Sequence, residues 1–76
     1  MIFVQREGTT GSLTFAGDQA RVLDSNGNVV INWTSGGSLS GIPQGDGYTL
    51  EVKNGSSVTS EALAVGAVIF VMGQSN

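Results

Sequence analysis

The alternation Tyr48-Thr49-Leu50-Glu51-Val52-Lys53, running directly into Asn54-Gly55, constrains this chain more than any other stretch. Period two puts Tyr48, Leu50 and Val52 on one face and Thr49, Glu51 and Lys53 on the other, as in a strand with one face on a core. Asn-Gly suits a two-residue hairpin loop, because both of its central residues take positive φ. Ser56-Ser57-Val58-Thr59-Ser60 therefore folds back as the next strand.

The rest of the chain reads in the same way. Ile2-Phe3-Val4-Gln5-Arg6 is a first strand at a sheet edge, ended by polar residues and Gly8. Thr9-Thr10-Gly11 is a turn, and Ser12-Leu13-Thr14-Phe15-Ala16 is a second strand with Leu13 and Phe15 on one face, closed by Gly17-Asp18. Gln19-Ala20-Arg21-Val22-Leu23-Asp24 and Asn28-Val29-Val30-Ile31-Asn32-Trp33 flank Ser25-Asn26-Gly27, a hairpin with a bulge whose glycine takes the left-handed position. Ala20 and Val22 share one face of that hairpin, as do Val29, Ile31 and Trp33 on its return strand. Thr34 to Ser38 is punctuation, Leu39-Ser40-Gly41-Ile42 a connector or weak strand, and Pro43-Gln44-Gly45-Asp46-Gly47 a turn. About seven short strands without a helix predict an all-β chain, a small antiparallel β-sandwich of immunoglobulin or fibronectin-like size.

Composition removes several functions. A chain of 76 residues makes one small domain at most, burying only ~60% of its unfolded surface. It has no cysteine, hence no disulfide, thiolate metal site or cysteine nucleophile, and no histidine, the usual general base and transition-metal ligand. Net charge is −3, and Arg6, Arg21 and Lys53 are the only cations. They are far apart in sequence, so no nucleic-acid partner is expected. Met1 to Glu7 lacks the pattern of a signal peptide, and the longest apolar run, Ala62 to Met72, falls short of the ~20 residues of a membrane-spanning helix. These features predict a soluble segment with no membrane partner, its compartment left open.

Chemistry-bearing residues are few. Asp24-Ser25-Asn26-Gly27-Asn28 alternates carboxylate and amide oxygens, but an EF-hand loop needs glutamate at its twelfth position, which here is Ser35, so a hairpin turn is favoured over a calcium loop. Trp33 and Tyr48 are the residues for a sugar-stacking platform, although single aromatics on strands more often belong to the core. The scattered acids Asp46, Glu51 and Glu61 make no paired-carboxylate site, and no cofactor is expected. The last stretch stands apart. Val65-Gly66-Ala67-Val68-Ile69-Phe70-Val71-Met72 is apolar on both faces as a strand and ends at Gly73-Gln74-Ser75-Asn76, a Gly-x-Ser step that presents a serine hydroxyl at the mouth of an α/β sheet.

Gly41-Ile42-Pro43-Gln44-Gly45-Asp46-Gly47-Tyr48-Thr49-Leu50-Glu51-Val52, a spacer, and then Val65 through Asn76 resembles the sialate O-acetylesterase group of the SGNH hydrolases. In that family an N-terminal β-sandwich ends in a glycine-proline turn and a Tyr-x-Leu-x-Val strand. A Val-Gly-acid-Val step then leads into the first catalytic strand, which finishes at Gly-Gln-Ser-Asn. Ala67 stands where the family usually has the acid. The hairpin Ala20 to Asp24 with Asn28 to Thr34 also looks like the sandwich that precedes many bacterial and phage-encoded esterases.

The resemblance implies two units: residues 1–66 as an accessory β-sandwich, and residues 67–76 as the first strand and nucleophile block of a truncated catalytic domain. It implies that Ser75 is the nucleophile and that its backbone N–H contributes to an oxyanion hole. A downstream Asp-x-x-His pair, a glycine and an asparagine supply the remaining parts in that family, and all lie C-terminal to the block. A serine hydroxyl needs a base to take its proton, so residues 1–76 are not expected to catalyse on their own, whereas the parent protein is implied to be a serine-dependent carbohydrate esterase. The partners implied are the SGNH catalytic domain and an acetylated glycan. The alternative is a free-standing β-sandwich, a glycan-binding or phage structural module in which the terminal run is the last sandwich strand. An uncovered strand that is apolar on both faces also leads us to expect self-association through that C-terminal strand.

Overall fold

In the computed structural model, which describes residues 1–67, the chain forms seven strands and no helix among the described residues. They are β1 (Ile2–Gln5), β2 (Thr10–Thr14), β3 (Gln19–Leu23), β4 (Val29–Ser35), β5 (Ser38–Pro43), β6 (Gly45–Asn54) and β7 (Ser57–Gly66). One sheet has five strands in the order β1-β7-β6-β3-β4, and β2 and β5 pair as a second, two-stranded sheet. Every pair is antiparallel except β1 with β7, which run parallel with Ile2 opposite Leu63 and Val4 opposite Val65. The all-β fold class and the small β-sandwich read from the sequence hold.

The core lies between the sheets. Val4, Ala20, Val22, Leu50, Leu63 and Val65 enter it from the large sheet, and Leu39 and Ile42 from the small one. Leu13, Phe15, Tyr48 and Val52 pack around this centre, as their alternation requires. Each large aliphatic side chain moved from water into such a core contributes roughly 1.5–3 kcal/mol, which for so short a chain makes every inward position count.

Four local departures from the sequence reading concern strands and turns whose register the alternation alone does not reveal. In β5, Leu39 and Ile42 are both buried although three positions apart. The β2 pairing steps from Gly11–Ile42 to Leu13–Leu39, so β5 holds one residue more than its partner over that span. Gly41, at φ 73°, absorbs the bulge. Because the bulge breaks the alternation, the stretch reads as a connector but forms a strand. In β4 the register shifts twice against β3, and Val30 and Ile31 both pack on the core while Val29 is half exposed. The expected sharing of one face by Val29, Ile31 and Trp33 is lost for that reason.

The third departure is at the β1–β2 turn. Glu7 and Thr10 bond each other through their backbones, with Glu7 N–H donating to Thr10 O at 2.7 Å, so the turn centres on Gly8-Thr9. Thr10 and Gly11 belong to β2 instead of a loop, and Phe15 lies just beyond the strand, its N–H donating to Gly37 O at 2.9 Å. The fourth is at the β6–β7 hairpin, which turns one residue later than expected. Asn54 pairs with Ser57, so the two-residue loop is Gly55-Ser56, with Gly55 at φ 63° taking the position that only glycine fills easily, and Asp18 Oδ2 accepts the Gly55 N–H at 2.7 Å.

At Gly11 the small sheet lies close against the large one. A Cβ built there would lie 2.7 Å from Val65 Cγ1 and 2.8 Å from Val4 Cγ1, closer than side-chain carbons approach in real proteins. Gly11→Ala is therefore expected to destabilise the fold by about 1–3 kcal/mol through overpacking. Urea denaturation checks this, and an unchanged midpoint would show that the two sheets are not in contact at Gly11.

Candidate functional site

The sequence-predicted nucleophile Ser75 lies, with the rest of 68–76, outside the described residues. The candidate site is therefore the end of the sandwich from which that stretch continues. β7 stays in the sheet up to Gly66, which pairs with Gln5 and whose carbonyl accepts the Arg6 N–H at 2.8 Å. Phe3 stands opposite Ala64 on the outer face of the large sheet, while Val4 and Val65 face inward. The Phe3 side chain is 50% exposed, an unusual state for a phenyl ring, and its tip lies 3.6 Å from where a side chain on Gly66 would begin.

Two grooves flank this ring. One of about 350 Å³ runs beside Phe3 over Ala64, Val65 and Ala67, with Gln44 and Asp46 at its rim. The other, of about 520 Å³, lies between β1 and the small sheet and is more polar, presenting Thr10, Ser12, Ser40 and Glu7. Both are within the size range of small-molecule sites.

A second cluster lies further across the same outer face. Arg21 on β3 sits directly opposite Glu51 on β6, and its Nε donates to Glu51 Oε1 at 2.6 Å. The Trp33 ring, from β4, has the Arg21 guanidinium carbon 4.7 Å from its centroid and Lys53 Nζ at the same distance. The indole π-system attracts both cations, so two of the three cationic side chains gather at one ring, with the Glu51 carboxylate paired to one of them. Tyr48, by contrast, packs against the core from inside, and its hydroxyl donates to Pro43 O at 2.9 Å. Trp33 and Tyr48 thus lie on opposite faces of the sheet and do not make one stacking platform. Trp33 is half-buried, but by the cations on the outer face instead of in the core.

The Asp24 loop is a turn in detail. Asp24 Oδ1 accepts N–H groups from Asn26 at 2.8 Å and Asn28 at 2.9 Å. The Asn28 backbone bond is foremost in holding the Asp24 carboxyl below its ordinary value of 3.8. One carboxylate oxygen, Oδ1, is thus taken up by the turn itself, as the side chain of an Asx-turn residue usually is. Among the described residues no three acidic, histidine or cysteine side chains group as a metal site would require.

No family model matches the chain, and neither the curated proteins nor the solved structures give a match. The setting of Phe3 and the cluster at Trp33 were not readable from sequence, because both depend on strand order. Arg21, Trp33 and Lys53 meet only because β3 lies between β4 and β6, and Phe3 meets Gly66 only because β1 pairs with the far end of the chain. The one sequence signal for the Trp33 cluster was the outward parity of Lys53 and of Arg21.

The ring should couple energetically to its cations. In a double-mutant cycle of Trp33→Leu and Lys53→Met, with urea denaturation at low salt as the readout, a coupling of roughly 0.5–1 kcal/mol is expected. Additive single and double variants would mean that the Lys53 charge gains nothing from the indole.

Proposed function

We propose that residues 1–66 are the N-terminal accessory β-sandwich of an SGNH-type carbohydrate O-acetylesterase, with residues 67–76 carrying its nucleophile block. The observation that carries this reading is the apolar stretch Val68-Ile69-Phe70-Val71-Met72 leading to Gly73-Gln74-Ser75-Asn76. A strand apolar on both faces needs cover on both sides, as in the parallel sheet of an α/β domain. What supports the reading on the sandwich side is that the last described strand, β7, ends at Gly66 and Ala67 lies outside it. The sandwich supplies position and contact surface; the chemistry belongs to the domain that residues 67–76 begin.

Within that domain Ser75 attacks the acetyl carbonyl once a base has taken its proton, and its N–H helps to hold the resulting oxyanion. No histidine occurs in the chain, so the base comes from sequence beyond it. The substrate class is an O-acetylated glycan. The full product of the gene should hydrolyse p-nitrophenyl acetate, and Ser75→Ala should lower kcat by about three orders of magnitude or more, as loss of a triad nucleophile does. Undiminished hydrolysis by the variant would remove Ser75 from the mechanism, whereas a full product without any hydrolysis would favour a free-standing glycan-binding or phage structural module instead.

A further inference from the structure

We infer that the outer-face groove beside Phe3 is the docking surface for the domain begun by residues 67–76, and this rests on reading those residues as a nucleophile strand. Backbone pairing holds β7 in the sandwich through Gly66, with the Arg6 N–H on the Gly66 carbonyl at 2.8 Å. Ala67 already lines the groove. No spacer therefore separates the sandwich from the proposed strand. A domain joined without a spacer is held at high effective concentration against whatever surface surrounds its attachment point.

That surface has the make-up of an interface. Its apolar part is the half-exposed Phe3 ring with Ala64 and the exposed Ala67, and Gln44 and Asp46 line it alongside. An apolar, aromatic-bearing centre inside a polar rim is the usual anatomy of a protein contact. The other half-exposed large apolar side chains on the strands do not adjoin the junction. Val29 lies just after the β3–β4 turn, and Val58 lies on the same outer face as Phe3 but six residues back along β7, roughly 20 Å away at the rise of a strand. The occupant is the apolar surface of the next domain around the start of its first strand, brought to Phe3 by the chain itself.

The test is hydroxyl-radical footprinting of the gene's full product, with Val58 as the internal control because it and Phe3 are equally exposed on the sandwich, at 49% and 50%. A phenyl ring is intrinsically the more reactive side chain, yet Phe3 should be labelled more slowly than Val58, independently of protein concentration. Phe3→Asp should raise limited proteolysis at the Gly66-Ala67 junction about tenfold, the effect of a docking equilibrium weakened by about 1.4 kcal/mol, while Val58→Asp should not. Phe3 labelled as fast as Val58 overturns the inference, and protection that grows with protein concentration overturns it in favour of a second copy. Should Phe3→Asp fail to fold, the wild-type footprint still decides. The Ser75→Ala assay separates the two claims. Hydrolysis lost with Phe3 freely labelled refutes the docking surface alone, and hydrolysis retained with Phe3 protected refutes the nucleophile reading of Ser75 alone.

Discussion

Leu63 and Val65 are the residues on which the rest of the sandwich depends. They project from β7 into the core at 1% and 2% exposure, while the backbone of the same strand pairs with β6 on one side and β1 on the other. Removing either side chain would open the core just where the two ends of the described chain meet. Val65 is also the side chain that Gly11 of the small sheet is shaped to admit, so β7 sets the spacing between the sheets as well as the order within one of them.

The parallel β1–β7 pair has consequences for folding and for position. Its partners are separated by nearly the whole described chain, so the pairing closes a long loop and is expected to form late, after the local hairpins β3–β4 and β6–β7. It brings the N-terminal strand, with Phe3 on its outer face, beside the residue from which the chain goes on. The proposed division of labour starts from that geometry: the last described strand ends at Gly66, and the half-exposed Phe3 ring lies beside it.

The local hairpins were legible in the sequence because their signals are local. Tyr48 to Lys53 alternates without interruption, the Asn-Gly step marks the next turn to within one residue, and Asp24 binds its own loop. What was not legible depended on an extra residue or a distant partner. Gly41 hides β5 by breaking its alternation, the two register shifts in β4 reassign Val29, Val30 and Ile31 between faces, and the parallel pairing of β1 leaves no local trace. The same division holds for the candidate site. Ser75 was singled out from a short motif, whereas the setting of Phe3 and the gathering of Arg21 and Lys53 on Trp33 emerged only from sheet order.

The central claim is that β7 is the integrating strand of this sandwich, and native-state hydrogen exchange tests it most directly. The amides of Leu63, Ala64 and Val65 should exchange only through global unfolding, with the same free energy and denaturant dependence as those of β3 and β6. Exchange of the β7 amides through a cheaper local opening, with β3 and β6 still protected, would contradict that claim and make β7 an appendage to a sandwich that stands without it.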